Sequence, residues 1–263
     1  MKLVSWNVNG IRSVWNKGFL AFVQEEQADI ICLQEIKIEE AKLIAAGLIP
    51  DGYRPHISSA KKPGYSGVAT FVHESQGQVT AGKGIGRKDA DSEGRFVISE
   101  HRHFVLYNTY FPSGTTGELR QKFKYKFLDY FLTHLQELPA SQRKKVVICG
   151  DLNICHKPID IHHPAVAEKR QLSGFLPEER KWMDDFVEEG FVDTFRLLHG
   201  DLPQQYTWWS FRAGARKRNL GWRIDYFFAA DELAKKVKAA RIRPEVMGSD
   251  HCPIVLEFSS PNV

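Results

Sequence analysis

Short apolar runs rich in β-branched residues recur along the chain, and polar or glycine-containing segments separate them. Runs of this length and composition are typical of buried or half-buried strands. The pattern therefore predicts strands at residues 3–6, 30–33, 68–72, 96–98, 104–110, 146–149, 224–229 and 253–258.

Helical periodicity between these strands predicts helices at residues 19–26, 119–138 and 178–189. In the second helix, apolar side chains recur three or four positions apart and so share one face. They are Phe123, Phe127, Leu128, Phe131 and Leu135. The order of elements mixes strand pairs with helices and does not repeat strict βαβ units, which favours an α/β fold of mixed sheets covered by helices.

No linker, low-complexity tract or obvious repeat interrupts the chain, so we expect a single domain over residues 1–263. Residues 157–173 and 210–221 are polar and without a clear period, and both are predicted to be long loops. Long loops inside a compact domain are commonly functional.

The composition, with 43% hydrophobic and 26% charged residues, is that of an ordinary globular protein. The 36 Lys and Arg against 32 Asp and Glu permit a polyanionic partner without requiring one. The first residues contain no apolar core of a signal peptide, and nowhere do about 18 apolar residues follow one another. We therefore expect a cytoplasmic protein with no membrane partner.

The four cysteines are scattered and never form a Cys-x-x-Cys pair, so neither a zinc site nor a disulfide framework is indicated. Cys32 and Cys149 lie within predicted strands. Both are expected to be small buried hydrophobic residues in a reducing compartment.

Oxygen-bearing side chains fall at the ends of the predicted strands, where functional sites of α/β proteins collect. They are Asn7 and Asn9 after the first strand, Glu35 after the second, Asp151 and Asn153 after residues 146–150, Asp225 inside residues 223–227, and Asp250 with His251 before the last strand. Singly, each has an ordinary structural explanation: Asp151 could cap a turn, and Glu35 could pair with Lys37.

Taken together, these side chains indicate a metal site. Carboxylate and amide oxygens suit Mg²⁺ or Mn²⁺, whereas zinc favours more His or Cys. One nearby histidine and the lack of a nucleophilic Ser or Cys motif point to hydrolysis of a phosphate ester by activated water.

A basic and aromatic stretch precedes the strand that carries Asp225. Its aromatic residues are Trp208, Trp209, Phe211 and Trp222, and its basic residues are Arg212, Arg216, Lys217, Arg218 and Arg223. The basic side chains would hold phosphates, and the aromatic ones could wall a pocket for a flipped-out, baseless sugar. The competing interpretation is a solvated basic loop whose tryptophans pack into the core.

The sequence resembles the exonuclease III family of AP endonucleases, within the endonuclease/exonuclease/phosphatase superfamily. Seven motifs in order carry the resemblance, at residues 5–12 (SWNVNGIR), 33–37 (LQEIK), 64–69 (GYSGVA), 108–112 (NTYFP), 150–153 (GDLN), 221–226 (GWRIDY) and 248–253 (GSDHCP). The resemblance implies a four-layered α/β sandwich of the DNase I-like type, with two mixed β-sheets packed face to face and helices outside.

Carried over by position, the resemblance makes Glu35 the principal ligand of Mg²⁺, with Mn²⁺ as the second candidate ion. Asn7, Asp151, Asn153, Asp250 and His251 complete the expected metal environment. Asp151 would orient or deprotonate the attacking water, with Asn153 beside it.

The resemblance further implies that His251, held by Asp225, binds the phosphate, and that Tyr110 contacts the scissile phosphate or helps the leaving group. For the substrate, it places Trp208, Trp222 and Ile224 around an abasic pocket and Lys37 near it. The basic stretch adds Arg212 as an expected DNA contact.

The function implied is incision of double-stranded DNA on the 5′ side of abasic sites to leave a 3′-hydroxyl. Trimming of blocked 3′ ends and 3′→5′ exonuclease activity would accompany it. A monomer is expected, because an enzyme with one DNA site needs no symmetry partner.

Two departures from the family pattern leave the activity open. Ser113 stands where many relatives have Asn, and residues 163–175 replace an Asn-rich DNA-contacting loop. A specialised 3′→5′ exonuclease or 3′-end processing enzyme with little AP endonuclease activity fits these changes. A second hypothesis is a phosphatase, sphingomyelinase or deadenylase of the same superfamily, and a third is a non-catalytic nucleic-acid-binding regulator on the same fold.

Overall fold

The computed structural model describes residues 1–259. In these residues the strands are β1 Lys2–Asn7, β2 Ile30–Gln34, β3 Tyr53–Ser58, β4 Val68–His73, β5 Thr80–Gly82, β6 Phe96–Glu100, β7 Val105–Tyr110, β8 Val146–Asp151, β9 Phe191–Asp193, β10 Asp225–Ala230, β11 Val237–Ile242 and β12 Ile254–Phe258.

The α-helices of the same residues are α1 Ile11–Val14, α2 Leu20–Glu26, α3 Glu40–Ala45, α4 Lys88–Asp91, α5 Glu118–Glu137, α6 Ala140–Arg143, α7 Pro164–Lys169, α8 Pro177–Glu188, α9 Thr194–His199 and α10 Asp231–Ala234. A kinked π-type turn at Trp15–Phe19 joins α1 to α2, and short 3₁₀ turns lie at Glu74–Gln76, Pro158–Asp160 and Arg212–Gly214. None of the helices in residues 1–259 has the length and apolar character needed to cross a bilayer.

The strands form two six-stranded sheets with the same internal plan. The first has the order β11-β12-β1-β2-β4-β3, and the second has the order β5-β6-β7-β8-β10-β9. Each sheet contains one parallel pair, β1 with β2 and β7 with β8, while its other neighbouring strands run antiparallel. The predicted mixed sheets are confirmed.

Apolar side chains between the two sheets form the central core, which includes Leu3, Cys32, Val147, Cys149 and Phe227. The outer face of the first sheet packs against α1 and α2, and that of the second packs against α5 and α8. The predicted four layers of helix, sheet, sheet and helix are therefore confirmed. All four cysteines are buried and free, as predicted for the two in strands.

A layer of buried polar side chains joins the sheets near the carboxyl ends of the parallel strands. The Gln34 amide nitrogen donates to Asn108 Oδ1 (2.8 Å) and to Ser5 Oγ (3.0 Å). The Asn108 amide in turn donates to the Ala69 carbonyl (2.9 Å) and to Thr70 Oγ1 (3.1 Å). Because an unpaired buried amide would cost about 1–3 kcal/mol, this network fixes how one sheet sits on the other.

Every predicted strand and helix is present, with ends shifted by a few residues. The strands that were not predicted are β3, β5, β9 and β11, which are the four edge strands of the two sheets. One predicted loop was wrong in part: residues 157–173 contain helix α7, which begins at Pro164, where proline suits the first turn of a helix. Residues 210–221 contain only the short turn Arg212–Gly214.

A buried ion-pair network holds the segment before α7 against the second sheet. Asp160 is completely buried, and its Oδ1 accepts from Arg223 Nε (2.8 Å) and from Arg196 Nη2 (2.6 Å). The other Arg223 branch contacts Asp193 Oδ2 at 2.7 Å. Burial alone would raise the pKa of Asp160, but the two guanidinium groups outweigh it and lower the pKa to about 2.

Asp160→Asn is expected to lower the free energy of unfolding by about 2 kcal/mol at neutral pH, because it removes a carboxylate stabilised by two cations. A carboxyl with a lowered pKa stabilises the fold above its unfolded-state pKa and loses that effect as pH falls through the folded-state value. The difference between wild type and variant should therefore shrink as pH falls from about 4 towards 2. Urea unfolding at a series of pH values measures it, and a difference independent of pH would contradict this account.

Candidate active site

The predicted strand-end residues meet at one edge of the sandwich. The Asn7 amide, at the end of β1, donates to Glu35 Oε1 (3.0 Å) after β2 and to Asp151 Oδ2 (2.8 Å) at the end of β8. In the second sheet, Asp151 is in register with Tyr110 of β7 and Asp225 of β10. The carboxyl ends of the two parallel pairs thus face each other, and one amide links them.

Unusual backbone conformations aim these side chains into the site. Glu35 and Asn153 have φ of 49° and 54°, in the left-handed region that residues other than glycine rarely adopt. Gly150 has φ of 136°, and a Cβ there would lie 1.8 Å from the Thr109 carbonyl oxygen of the paired strand. Only glycine permits β7 and β8 to approach so closely directly before Asp151.

Three side chains offer ligand atoms that all lie within 4.8 Å of one another: Glu35, Asp151 and His251. Oxygen ligands dominate the set, which suits a hard divalent cation. Buried carboxylates so close together also need positive charge near them. The residues therefore fit a metal ion of the kind that the sequence predicted.

The protonation of the carboxylates differs sharply across the site. Burial, together with the charges of Asp225 and Glu35, raises the pKa of Asp151 to about 7, although the His251 imidazolium opposes this. Burial would also raise the pKa of Glu35, but Lys37 at 2.9 Å and the Asn7 amide lower it overall. At neutral pH Glu35 is ionised, while Asp151 can exchange a proton.

His251 lies beside Asp151 and is held by a second carboxylate. Its Nδ1 contacts Asp225 Oδ2 at 2.9 Å, and its Nε2 lies 3.9 Å from Asp151 Oδ2. Burial alone would lower the pKa of His251, but the charges of Asp225 and Asp151 raise it to about 10. The ring is therefore an imidazolium at neutral pH, with Nδ1–H donating to Asp225.

Tyr110 lines the pocket next to Glu35 and Asp151. Burial, and then the negative charges of Glu35 and Asp151, raise the pKa of its phenol well above the usual range, although Arg95 opposes them. The Arg95 guanidinium lies 4.6 Å from the centre of the Tyr110 ring. Tyr110 is thus a neutral hydroxyl that can donate a hydrogen bond inside the site.

Asp250 occupies the opposite rim of the pocket, outside the group of close ligand atoms. Its carboxylate accepts from the Asn9 amide (2.9 Å) and from Trp208 Nε1 (3.0 Å). Burial would raise the pKa of Asp250, but His251 and these two donors lower it overall. An ionised Asp250 therefore fixes the position of an aromatic wall.

A cavity of about 680 Å³ opens beside the acidic cluster. Its apolar wall consists of Trp208, Trp222, Ile224, Leu172 and Leu176. The two indole rings meet edge to face with centroids 5.9 Å apart, and short backbone bridges tie Trp208 to both Trp222 and His251. The resemblance placed Trp208, Trp222 and Ile224 around one pocket, and they are found together.

Several residues of the basic and aromatic stretch do not reach this pocket. The prediction that Arg223 holds phosphate is wrong, because its side chain is 2% exposed and paired with Asp160 and Asp193. Trp209 is buried beneath the pocket, Phe211 is 77% exposed, and Arg212 is exposed outside the cavity lining. The basic stretch is thus partly structural, as the competing interpretation held.

Arg216 and Lys37 also have partners that the sequence did not indicate. The Arg216 guanidinium donates to the carbonyls of Ser249 (2.9 Å) and Val246 (2.7 Å) and stacks on Trp209. It therefore holds the loop that precedes Asp250. Lys37 donates to Asn9 and contacts Glu35, so it borders the acidic cluster outside the pocket lining.

One supporting pair was missed by sequence reasoning. Lys124 of α5 is completely buried, and its Nζ donates to the Asn153 carbonyl (2.8 Å) and to Glu179 (2.6 Å). The Glu179 carboxylate also accepts from the backbone N–H of Gly174 (2.6 Å) on the pocket wall. The sequence could have indicated that Lys124 is buried, since Lys124 falls in phase with Phe127, Leu128 and Phe131 on the apolar face.

Asp225→Asn is expected to lower the pKa of His251 by about one to three pH units, because the nearest compensating charge is removed. An NMR titration of the imidazole in metal-free protein measures it. Asp184→Asn is a matched control, since Asp184 lies 2.9 Å from His156 and outside the cavity. The control should leave His251 unchanged, and an unchanged His251 in the Asp225 variant would contradict the assignment.

Comparison with known proteins agrees with this geometry. Residues 4–251 match the endonuclease/exonuclease/phosphatase family. An exodeoxyribonuclease of Bacillus subtilis (strain 168) is 43% identical over 257 residues, covering 97% of this chain and 98% of the relative. A DNA-(apurinic or apyrimidinic site) endonuclease of Dictyostelium discoideum is 39% identical over 257 residues, covering 97% and 69%.

A solved structure of an AP endonuclease from Leishmania major superposes with a TM-score of 0.87 at 31% identity, covering 99% of this chain and 88% of its own. The family match covers nearly the whole of this chain. The resemblance to exonuclease III-type AP endonucleases is thereby confirmed, and the chain belongs to the endonuclease/exonuclease/phosphatase family.

Proposed function

We propose that the protein is a metal-dependent DNA repair phosphodiesterase that incises DNA on the 5′ side of abasic sites and leaves a 3′-hydroxyl. Removal of blocked 3′ ends and 3′→5′ exonuclease activity belong to the same proposal. The observation that carries it is the Trp208 and Trp222 wall directly beside the Glu35, Asp151 and His251 cluster. The names of the relatives, an exodeoxyribonuclease and an AP endonuclease, support DNA as the substrate.

The proposed roles follow from protonation and position. Asp151, whose pKa is about 7, accepts the proton of the attacking water, and the Asn153 amide at 3.1 Å holds its Oδ2 in place. The His251 imidazolium directs its Nε2–H to a phosphate oxygen, since Nδ1–H is engaged by Asp225. Tyr110 donates its hydroxyl proton to the phosphate or to the leaving 3′ oxygen.

We propose that Glu35 and Asp151 hold Mg²⁺, with Mn²⁺ as a substitute, and that the Asn7 amide fixes both carboxylates. When bound, such an ion supplies positive charge that offsets the charge developing on the phosphate oxygens. Asp250 supports the site indirectly, through its hydrogen bonds with Asn9 and Trp208. His251 takes the phosphate-binding role, because an imidazolium has no free lone pair for a metal.

The shape of the cavity supports the abasic specificity. Two indole rings at 84° to each other form a corner, closed by Ile224 and Leu176, that suits the carbon face of a compact sugar without its base. An abasic nucleotide also leaves the duplex at less cost than a paired one.

One observation favours the second candidate, a specialised 3′-end processing enzyme. Gln171 and Leu172, from the segment that replaces the Asn-rich loop of relatives, line the same cavity. The Gln171 amide donates to the Glu168 carbonyl (3.1 Å), so the segment has its own local order. Side chains of this segment inside the cavity would hinder a continuous duplex more than a strand end. Action as a monomeric single domain in the cytoplasm remains a prediction from the sequence.

Asp151→Asn is expected to reduce cleavage of a duplex with one tetrahydrofuran abasic analogue by about 100-fold or more, because the amide cannot accept the water proton. Wild type should cut the 5′ side of the analogue with Mg²⁺ or Mn²⁺ and not with EDTA. Asp185→Asn, at an exposed carboxylate that pairs with Lys181, is the matched control and should keep full activity. Degradation of a recessed, undamaged 3′ end alone would instead assign 3′-end processing, and no cleavage of either duplex would reject the DNA repair function.

Trp222→Ala is expected to slow incision at the abasic analogue by about tenfold or more, because one face of the sugar pocket is lost. Hydrolysis from a recessed, undamaged 3′ end should change much less. Steady-state rates on the two duplexes measure the difference. Equal losses on both substrates would contradict a pocket specific for the baseless sugar.

A further inference from the structure

A basic surface adjoins the active-site cavity without belonging to it. It begins in a depression of about 530 Å³ that shares Tyr110 and Ser113 with the cavity. Two further depressions, of about 590 Å³ and 410 Å³, follow it, and Lys61 and Ser92 line all three. The three depressions therefore form one continuous path that leads away from the active-site cavity.

This basic surface has an excess of positive charge. Eight basic and four acidic residues line it, so its formal charge is +4. Positive charge gathered along one path beside the active site attracts a polyanion more strongly than the same charge spread out.

Half of these basic residues are free to bind a new anionic partner. Lys61, Lys62, Arg87 and Lys88 have no carboxylate within 4.0 Å in the part of the chain that the structure describes. The remaining four are already paired: Lys83 with Glu40, Arg95 and Arg120 with Glu93, and Lys126 with Asp89.

Aromatic rings are interleaved with the free cations. The Arg87 guanidinium lies 5.1 Å from the centre of the Tyr130 ring, and Lys62 Nζ lies 5.3 Å from the centre of the Tyr65 ring. Stacking of this kind orders long basic side chains before a ligand arrives, which lowers the entropy lost on binding. Basic residues with aromatic neighbours along a groove are typical of surfaces that follow a nucleic-acid backbone.

We infer that this basic surface binds the phosphate backbone of the substrate DNA beyond the nucleotides held at the active site, with Lys61, Arg87 and Lys88 as its principal contacts. The inference rests on the proposed DNA substrate and extends it. The enzyme then gains affinity from one flank of the damaged site, so long DNA binds more tightly than short DNA.

The test measures binding in EDTA, where no hydrolysis occurs, by fluorescence anisotropy. The probes are a short duplex with a central abasic analogue and the same duplex extended by two helical turns on its 5′ or its 3′ side. Wild type is compared with a Lys61→Ala and Lys88→Ala double variant. The control is a Lys144→Ala and Lys145→Ala double variant, at exposed lysines before β8 and roughly 20 Å from Asp151 along that strand.

One extension should tighten binding by wild type and by the control, and the Lys61 and Lys88 variant should lose that gain. Its slope of log Kd against log salt on that duplex should fall by about two, one for each lost phosphate contact. Binding of the short duplex and its metal-dependent cleavage should stay unchanged. If the variant matches wild type on every duplex, the inference is rejected.

Failure of the proposed function gives a different result. In that case wild type would not cleave the short duplex with metal. Should the extended duplex still bind in a manner that depends on Lys61 and Lys88, the basic surface stands as a DNA site, and only the catalytic assignment falls. Weak binding of all duplexes by wild type would overturn both.

Discussion

Four carboxylates at one edge of the sandwich, two of them buried and two half-buried, set the constraint on which the rest of the structure depends. Glu35, Asp151, Asp225 and Asp250 are brought together by strands from both sheets, and their mutual repulsion must be balanced. The His251 imidazolium between Asp151 and Asp225 supplies one counter-charge. Lys37 supplies a second beside Glu35. Neutral amides add hydrogen bonds, foremost Asn7, whose single NH₂ group holds Glu35 and Asp151 and so spans the gap between the sheets.

The walls of the site are held by buried ion pairs. Lys124 and Glu179 fix the Asn153 turn and the backbone at Gly174, while Asp160 and Arg223 fix the segment before β10 that carries Trp222 and Ile224. Apolar contacts of the same volume could stabilise these places as well. Ion pairs add direction, because Lys124, Glu179 and Asp160 also form hydrogen bonds with particular backbone atoms. These contacts hold the pocket walls in place without a ligand.

The sequence predicted the interior of this protein better than its edges. Strands such as β2 and β8 are buried on both faces, so their apolar runs are continuous. The edge strand β3 contains Pro55 and is only partly buried, and β5 and β9 have three residues each, so none carries a strong pattern.

The site residues at strand ends could be placed for the same reason, since a buried strand fixes where its last side chain emerges. The position of the Arg223 side chain could not be predicted, because a basic residue in a polar stretch does not indicate whether its partner is a phosphate or a distant aspartate. Lys124 could have been placed, since only its phase in the helix was needed.

The left-handed backbone at Glu35 and Asn153 has a consequence for how the protein can evolve. Each such residue costs roughly 1 kcal/mol or more, which the surrounding fold must offset. Glycine would relieve that cost at either position, but it would delete the functional group. Glycine therefore cannot stabilise the protein at these two turns without loss of the side chains, and stabilising substitutions have to come from other positions.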